Sequence, residues 1–139
     1  MKSLDEIGAV LQQARAGCSP AAVAAEYLQA GEDTVSHWNI ARGFNPTGET
    51  REGFRLLALH RQGAKGEPSF NACRETCREL VYHYNLLTMA PDHPETATRL
   101  EMMRLVAMHL YLFIRGKMEV SGLGEFCCAS RPLRTGTEQ

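Results

Sequence analysis

Residues 105–114 read LVAMHLYLFI, a run that is apolar on nearly every side of the helix its flanking periodicity predicts. A helix of that kind cannot rest in water and needs cover on more than one face. The helix is predicted over about 94–118, with Ala97, Leu100, Met103, Ala107, Leu110, Tyr111, Ile114 and Met118 on one stripe. Met102, Leu105, Val106, Met108, Leu112 and Phe113 widen that stripe beyond what a single neighbour covers. A helix over about 69–88 supplies one neighbour, because Phe70, Cys73, Cys77, Leu80, Val81, Tyr84 and Leu87 recur at three- and four-residue steps, and Pro91 and Pro94 mark the turn between the two. The surface left over predicts a second copy of the chain, a homodimer joined through Leu105, Met108, Leu110, Leu112 and Phe113. The run is interrupted by His109 and ends at Arg115, well short of the ~20 apolar residues that cross a bilayer, so no membrane span is expected.

The first half of the chain punctuates differently. Ser3 can cap a helix whose first turn carries Asp5 and Glu6, with Leu4, Ile7, Leu11 and Ala14 on one face and Gly17 at its end. Ser19 before Pro20 is a second start signal and opens the alanine-rich run 20–29. Gly31 is expected to break that run, and Asp33 or Thr34 to cap a third helix over 34–41 that ends at Arg42 and Gly43. After the turn residues 45–48, Phe54, Leu57 and Ala58 predict a fourth helix ending near His60. The polar stretch QGAKGEP at 62–68 reads as a linker. The expected architecture is all-α, with an N-terminal four-helix bundle over 1–62, a long-helix hairpin over 69–120 and a partly disordered tail over 121–139.

Ala25 is small where a second helix must cross closely, and Leu28 lies one turn on. Ala30 is the apolar residue of a turn, and Val35 and Trp38, three apart, face inward. In these positions the stretch AAVAAEYLQAGEDTVSHW at 21–38 resembles the helix-turn-helix of the phage repressor and Cro class of DNA-binding domains. The continuation NIARGFNP and then REGFRLLAL follows that family's outline, so the resemblance covers about residues 4–60. Where the family's turn usually has glycine this chain has Gln29, with Gly31 two residues later. The resemblance implies a transcriptional repressor that reads the major groove of duplex DNA as a homodimer. Asp33, Ser36, His37 and Ile40 would then face bases, Thr34 and Asn39 phosphate or sugar, and Arg42, Arg51 and Arg55 would be the nearby cations.

Charge qualifies that expectation. The net charge of −1 excludes binding of nucleic acid by bulk positive charge, and Glu32 and Asp33 stand where the reading helix would meet a polyanion. The alternative keeps the fold and assigns it to a regulatory protein-binding module, an anti-activator or inhibitor that captures a protein partner. The same core residues also suit any small helical bundle.

The chain has five cysteines, Cys18, Cys73, Cys77, Cys127 and Cys128, and its start lacks the apolar core of a secretion signal, so reduced thiols and a cytoplasmic location are expected. Cys73 and Cys77 share the apolar stripe and read as packing residues rather than metal ligands. His60 falls at a helix end, and no histidine has an evident catalytic partner. Without a phosphate loop, a paired-carboxylate signature or a nucleophile elbow, no enzymatic activity, cofactor or metal is expected.

Overall fold

A computed structural model of the protein describes residues 1–13 and 18–123. Among these residues the chain forms five α-helices, α1 (Leu4–Leu11), α2 (Pro20–Ala41), α3 (Arg55–Gly63), α4 (Arg74–Met89) and α5 (Thr96–Val120), with a 3₁₀ segment over Pro68–Cys73. The all-α class is as the sequence predicts. Cys127, Cys128 and all but the first residues of the expected tail lie outside the described residues.

The starts of the first two helices follow from their capping residues. Ser3 Oγ accepts from the Glu6 amide at 3.2 Å while Glu6 Oε1 accepts from the Ser3 amide at 2.9 Å, a reciprocal capping box. Ser19 Oγ accepts from the Ala22 amide at 3.2 Å, with Pro20 in the first turn.

The expected break at Gly31 is absent, and the two short helices predicted over 20–29 and 34–41 are one helix of 22 residues. The signals that suggested a turn have other uses. A Cβ on Gly31 would stand 2.6 Å from Leu80 Cδ2, so the glycine lets α4 approach α2 closely. Asp33 caps nothing; its carboxylate accepts from the Lys2 amide at 3.2 Å and from Gln29 Nε2 at 2.9 Å. Thr34 Oγ1 donates to the Ala30 carbonyl one turn back, at 2.7 Å, inside a continuous helix. With no turn between them, residues 21–38 form no helix-turn-helix.

Between α2 and α3 the chain folds a tight reverse turn in which Arg51 and Phe54 exchange backbone hydrogen bonds at 3.0 Å. Glu52 and Gly53 both have positive φ, 55° and 86°, as a type I′ turn requires. Gln62 pins this loop to α3. Its Nε2 donates to the Asn45 carbonyl at 2.8 Å, and its Oε1 accepts from the Thr47 amide at 2.9 Å and from Asn39 Nδ2 at 3.1 Å.

One set of buried side chains runs through all five helices, among them Ile7, Trp38, Leu59, Phe70, Leu80 and Leu110. It is continuous past 62–68, because the 3₁₀ segment that follows inserts Phe70 between Trp38 and His60. The Phe70 ring is parallel to Trp38 within 3° at 4.9 Å and stacks on His60 at 5.1 Å. Helix α5 packs on α2 and α4, with Met103, Ala107, Leu110, Tyr111, Ile114 and Met118 buried, the inner stripe the sequence predicts. Among the described residues no helix is long and apolar enough to cross a membrane.

Candidate functional site

The residues expected to read DNA do not form a surface. Asp33, Thr34, Ser36 and Asn39 are all buried, Asn39 completely, because α2 is covered on several sides by α1, α3, α4 and α5. Asn39 Nδ2 donates to the Leu59 carbonyl at 3.2 Å, so it ties α2 to α3. Arg42 is committed to the fold: its guanidinium donates to the carbonyls of Gly63 at 2.8 Å and Lys65 at 3.0 Å and lies against the Trp38 and Phe44 rings. Arg55 donates to the Thr47 carbonyl at 2.8 Å and sits 3.9 Å from Glu32. Half-buried His37 contacts the Lys2 carbonyl at 2.7 Å, and Ile40 and Arg51 are exposed.

The expected dimer residues divide along α5. Leu105 and Leu112 are exposed and Met108 and Phe113 half-buried, whereas Leu110 is fully buried. Leu110 Cδ2 lies 3.6 Å from where a Gly31 Cβ would be, so Leu110 belongs to the core and no second copy can reach it.

The structure instead brings together a set of cations that the sequence keeps apart. The reverse turn, α3, the end of the 3₁₀ segment and the start of α4 enclose a cleft of about 480 Å³ whose lining includes Arg51, Arg61, Arg74, Arg78, His60 and Asn71. Glu75 is the one carboxylate in that lining. Arg78 is held in a two-pronged contact by Glu52, with Nη2 at 2.9 and 3.2 Å from the two carboxylate oxygens. That contact keeps the Glu52 carboxyl below its usual range, and the charges of Arg51 and Arg74 push the same way. Arg51, Arg61 and Arg74 make no ion pair among the described residues. An adjoining hollow of about 610 Å³ shares Arg51 and Arg61 and adds Lys65, Thr47 and Thr50. Volumes of this order suit small-molecule ligands.

Beneath the cleft, His60 and two thiols form a connected group. His60 Nε2 lies 3.0 Å from the Phe70 carbonyl oxygen, and Cys73 Sγ donates to that same oxygen at 3.3 Å. A carbonyl only accepts, so Nε2 carries a proton. Cys73 directly precedes α4 with Cys77 one turn beyond it, and both are buried. The hydrogen bond from Cys77, and after it the bond and charge of His60, bring the Cys73 thiol down to about 6. The same bond and burial push Cys77 up. Among the described residues no group of three or more histidine, cysteine and carboxylate side chains is arranged to hold a metal ion.

Arg61, Arg74, Arg78 and Lys65 carry no motif that marks them as a site. Their one local signal is the repeat CRETCR at 73–78, which sets Arg74 and Arg78 four apart beside Cys73 and Cys77. Arg51 and Arg61 join them through the fold alone.

The sequence matches no family model, and no curated protein or solved structure is significantly similar to it. The resemblance to the phage repressor and Cro class is thus unsupported by any family match, and what stands is a small all-helical protein.

Proposed function

We propose that the protein is a regulatory binding domain that takes a phosphate-bearing ligand in the arginine cleft and works as a homodimer joined along the outer face of α5. The observation that carries the reading is the convergence on one cleft of about 480 Å³ of Arg51, Arg61 and Arg74, which make no ion pair among the described residues. Guanidinium forks match the oxygens of a phosphate, and with Arg51, Arg61, Arg74 and Arg78 set against Glu52 and Glu75 the cleft keeps a positive excess that an anion relieves. Asn71 adds a neutral donor to the lining. Favouring the dimer, Met102, Leu105 and Leu112 are exposed on α5 at spacings of three and seven residues, with half-covered Met108 between the last two and half-covered Phe113 beside them.

A nucleic acid backbone is the extended form of the same ligand chemistry, and it is the version of the DNA expectation compatible with this fold. It would lie across the cleft and the adjoining hollow, contacting Arg51 from the originally expected set and Arg61, Arg74 and Lys65 in place of the buried α2 residues.

Thermal unfolding in the presence of pyrophosphate, a nucleoside triphosphate or a short duplex DNA tests the reading. A ligand at ~100 times its Kd adds about 2.7 kcal/mol to stability, a rise of several degrees. Stabilisation by the small anions that disappears in Arg61→Ala with Arg74→Ala supports the small-ligand form. Stabilisation by duplex alone, falling steeply with salt, supports the backbone form. No response to any of the three rejects the cleft as an anion site.

A further inference from the structure

We propose that two copies of the chain pair antiparallel along α5 with a neutral His109 in the middle of the seam, so that acidification separates them. The proposal rests on the homodimer reading of α5 and adds its register and its control. Met102, Leu105 and Leu112 are exposed on α5, and His109, also exposed, falls between the last two. Positions 102, 105, 109 and 112 alternate steps of three and four, the period of a seam between two helices. A second copy is the occupant that the flanking charges fit. Glu101, Met108 and Arg115 recur every seven residues along one border of the seam. A two-fold axis across α5 at Met108 therefore brings Glu101 of each copy to Arg115 of the other. Both side chains are 44% exposed. Each is bonded within its own chain, Glu101 to Arg104 and Arg115 to Tyr111 Oη at 2.8 Å, but a carboxylate and a guanidinium both keep sites for a second contact.

The effect of the seam on His109 follows from its surroundings. No other residue of 105–114 is charged, and His109 makes no hydrogen bond or ion pair among the described residues. On the helices packed against α5, Tyr27 of α2 lies in the field of Arg104, Glu79 and His83 of α4 lie near Arg99, and Asp5 of α1 is 3.8 Å from Arg115. None of these groups bonds to His109. Antiparallel pairing about Met108 lays the apolar run on its own copy, so the ring enters a seam built of Leu105, Met108 and Leu112 with no carboxylate beside it. A neutral imidazole is admitted there, and a single polar residue in such a seam fixes its register. An imidazolium would lose its water with no anion to replace it. Pairing therefore excludes the protonated ring, which favours the dimer above the pH range in which histidine titrates and weakens it as pH falls through that range.

Sedimentation equilibrium of the full chain under reducing conditions at pH 8 and pH 5.5 tests the proposal. The expected result is a dimer at pH 8 whose Kd rises on the order of 100-fold by pH 5.5, since a neutral ring is required on both chains and the effect enters squared. His109→Leu, a change on an exposed face, should dimerise at both pH values. A parent protein that is monomeric at pH 8 overturns the dimer reading itself. A dimer equally tight at both pH values, or one that weakens as much in His109→Leu, overturns control by His109 and leaves the dimer standing. The register is read at pH 8. Arg115→Glu should weaken the dimer severalfold by setting two carboxylates together at each end, and adding Glu101→Arg should restore it; a double variant no tighter than Arg115→Glu alone overturns the antiparallel pairing.

Discussion

Adding one methyl group at Gly63 asks whether the Trp38, Phe70 and His60 stack is as close-packed as its geometry indicates. An alanine Cβ there would stand 2.8 Å from Trp38 Cδ1, 2.9 Å from Asn39 Oδ1 and 2.9 Å from Phe70 Cε2. Two of these atoms belong to rigid rings stacked on each other, and the third to an amide bonded to α3, so none can yield alone. Overpacking of this kind costs ~1–3 kcal/mol, and three simultaneous contacts place Gly63→Ala toward the upper end. Alanine recovers at most ~1 kcal/mol of helix propensity at the last residue of α3. The net expectation is a loss of about 2 kcal/mol, a fall in Tm of roughly 6–10 °C for a chain of this size. Gly116→Ala is the matched control. Nothing lies within 4 Å of the added methyl in the interior of α5, so that variant should gain up to ~1 kcal/mol. Urea unfolding followed by far-UV circular dichroism gives the energies, and the emission of Trp38, the single tryptophan, reports locally on the stack. A Gly63→Ala protein as stable as the parent, with unchanged Trp38 emission, refutes the packing described around Phe70.

Two further substitutions address α5 and the α2 carboxylate. Leu105→Asp with Leu112→Asp should convert a dimer to folded monomers by sedimentation, whereas Leu110→Asp should unfold the chain because that side chain is fully buried; a parent protein already monomeric at high concentration removes the proposed interface. Glu32 has its carboxyl raised, first by burial and then by the charge of Asp33, against the pull of Arg55. A carboxyl raised by folding contributes stability only below its unfolded pKa and loses it as pH climbs through the folded value. Glu32→Gln should therefore raise Tm at pH 7, with the advantage closing as pH falls below ~4.3, and an unchanged or lowered Tm at pH 7 contradicts this balance.

The helices were legible because their signals are local. Ser3 with Glu6, Ser19 with Pro20, and the inner stripe of α5 each specify an element from neighbours within a few residues. Gly31 was misleading for a physical reason: glycine both ends helices and admits close neighbours, and the choice between these uses depends on Leu80, 49 positions away. The same holds for the site. Leu110 and Leu105 look alike in the run 105–114, and only the crossing with α2 assigns one to the core and the other to the surface. The arginine cleft depends on the reverse turn at 51–54 delivering Arg51 to the side of α4, a juxtaposition that no spacing along the chain encodes.

The unbroken α2 touches each of the other four α-helices. Its amides are the hub of the described residues: exposing the middle of α2 to solvent means detaching α3, α4 and α5 together. Its opening free energy is thus that of the whole molecule, while α1, held by fewer neighbours, has a cheaper local route to exchange. A ligand that tightens the cleft between α3 and α4 would accordingly slow exchange at residues such as Thr34 and Asn39 that it never touches.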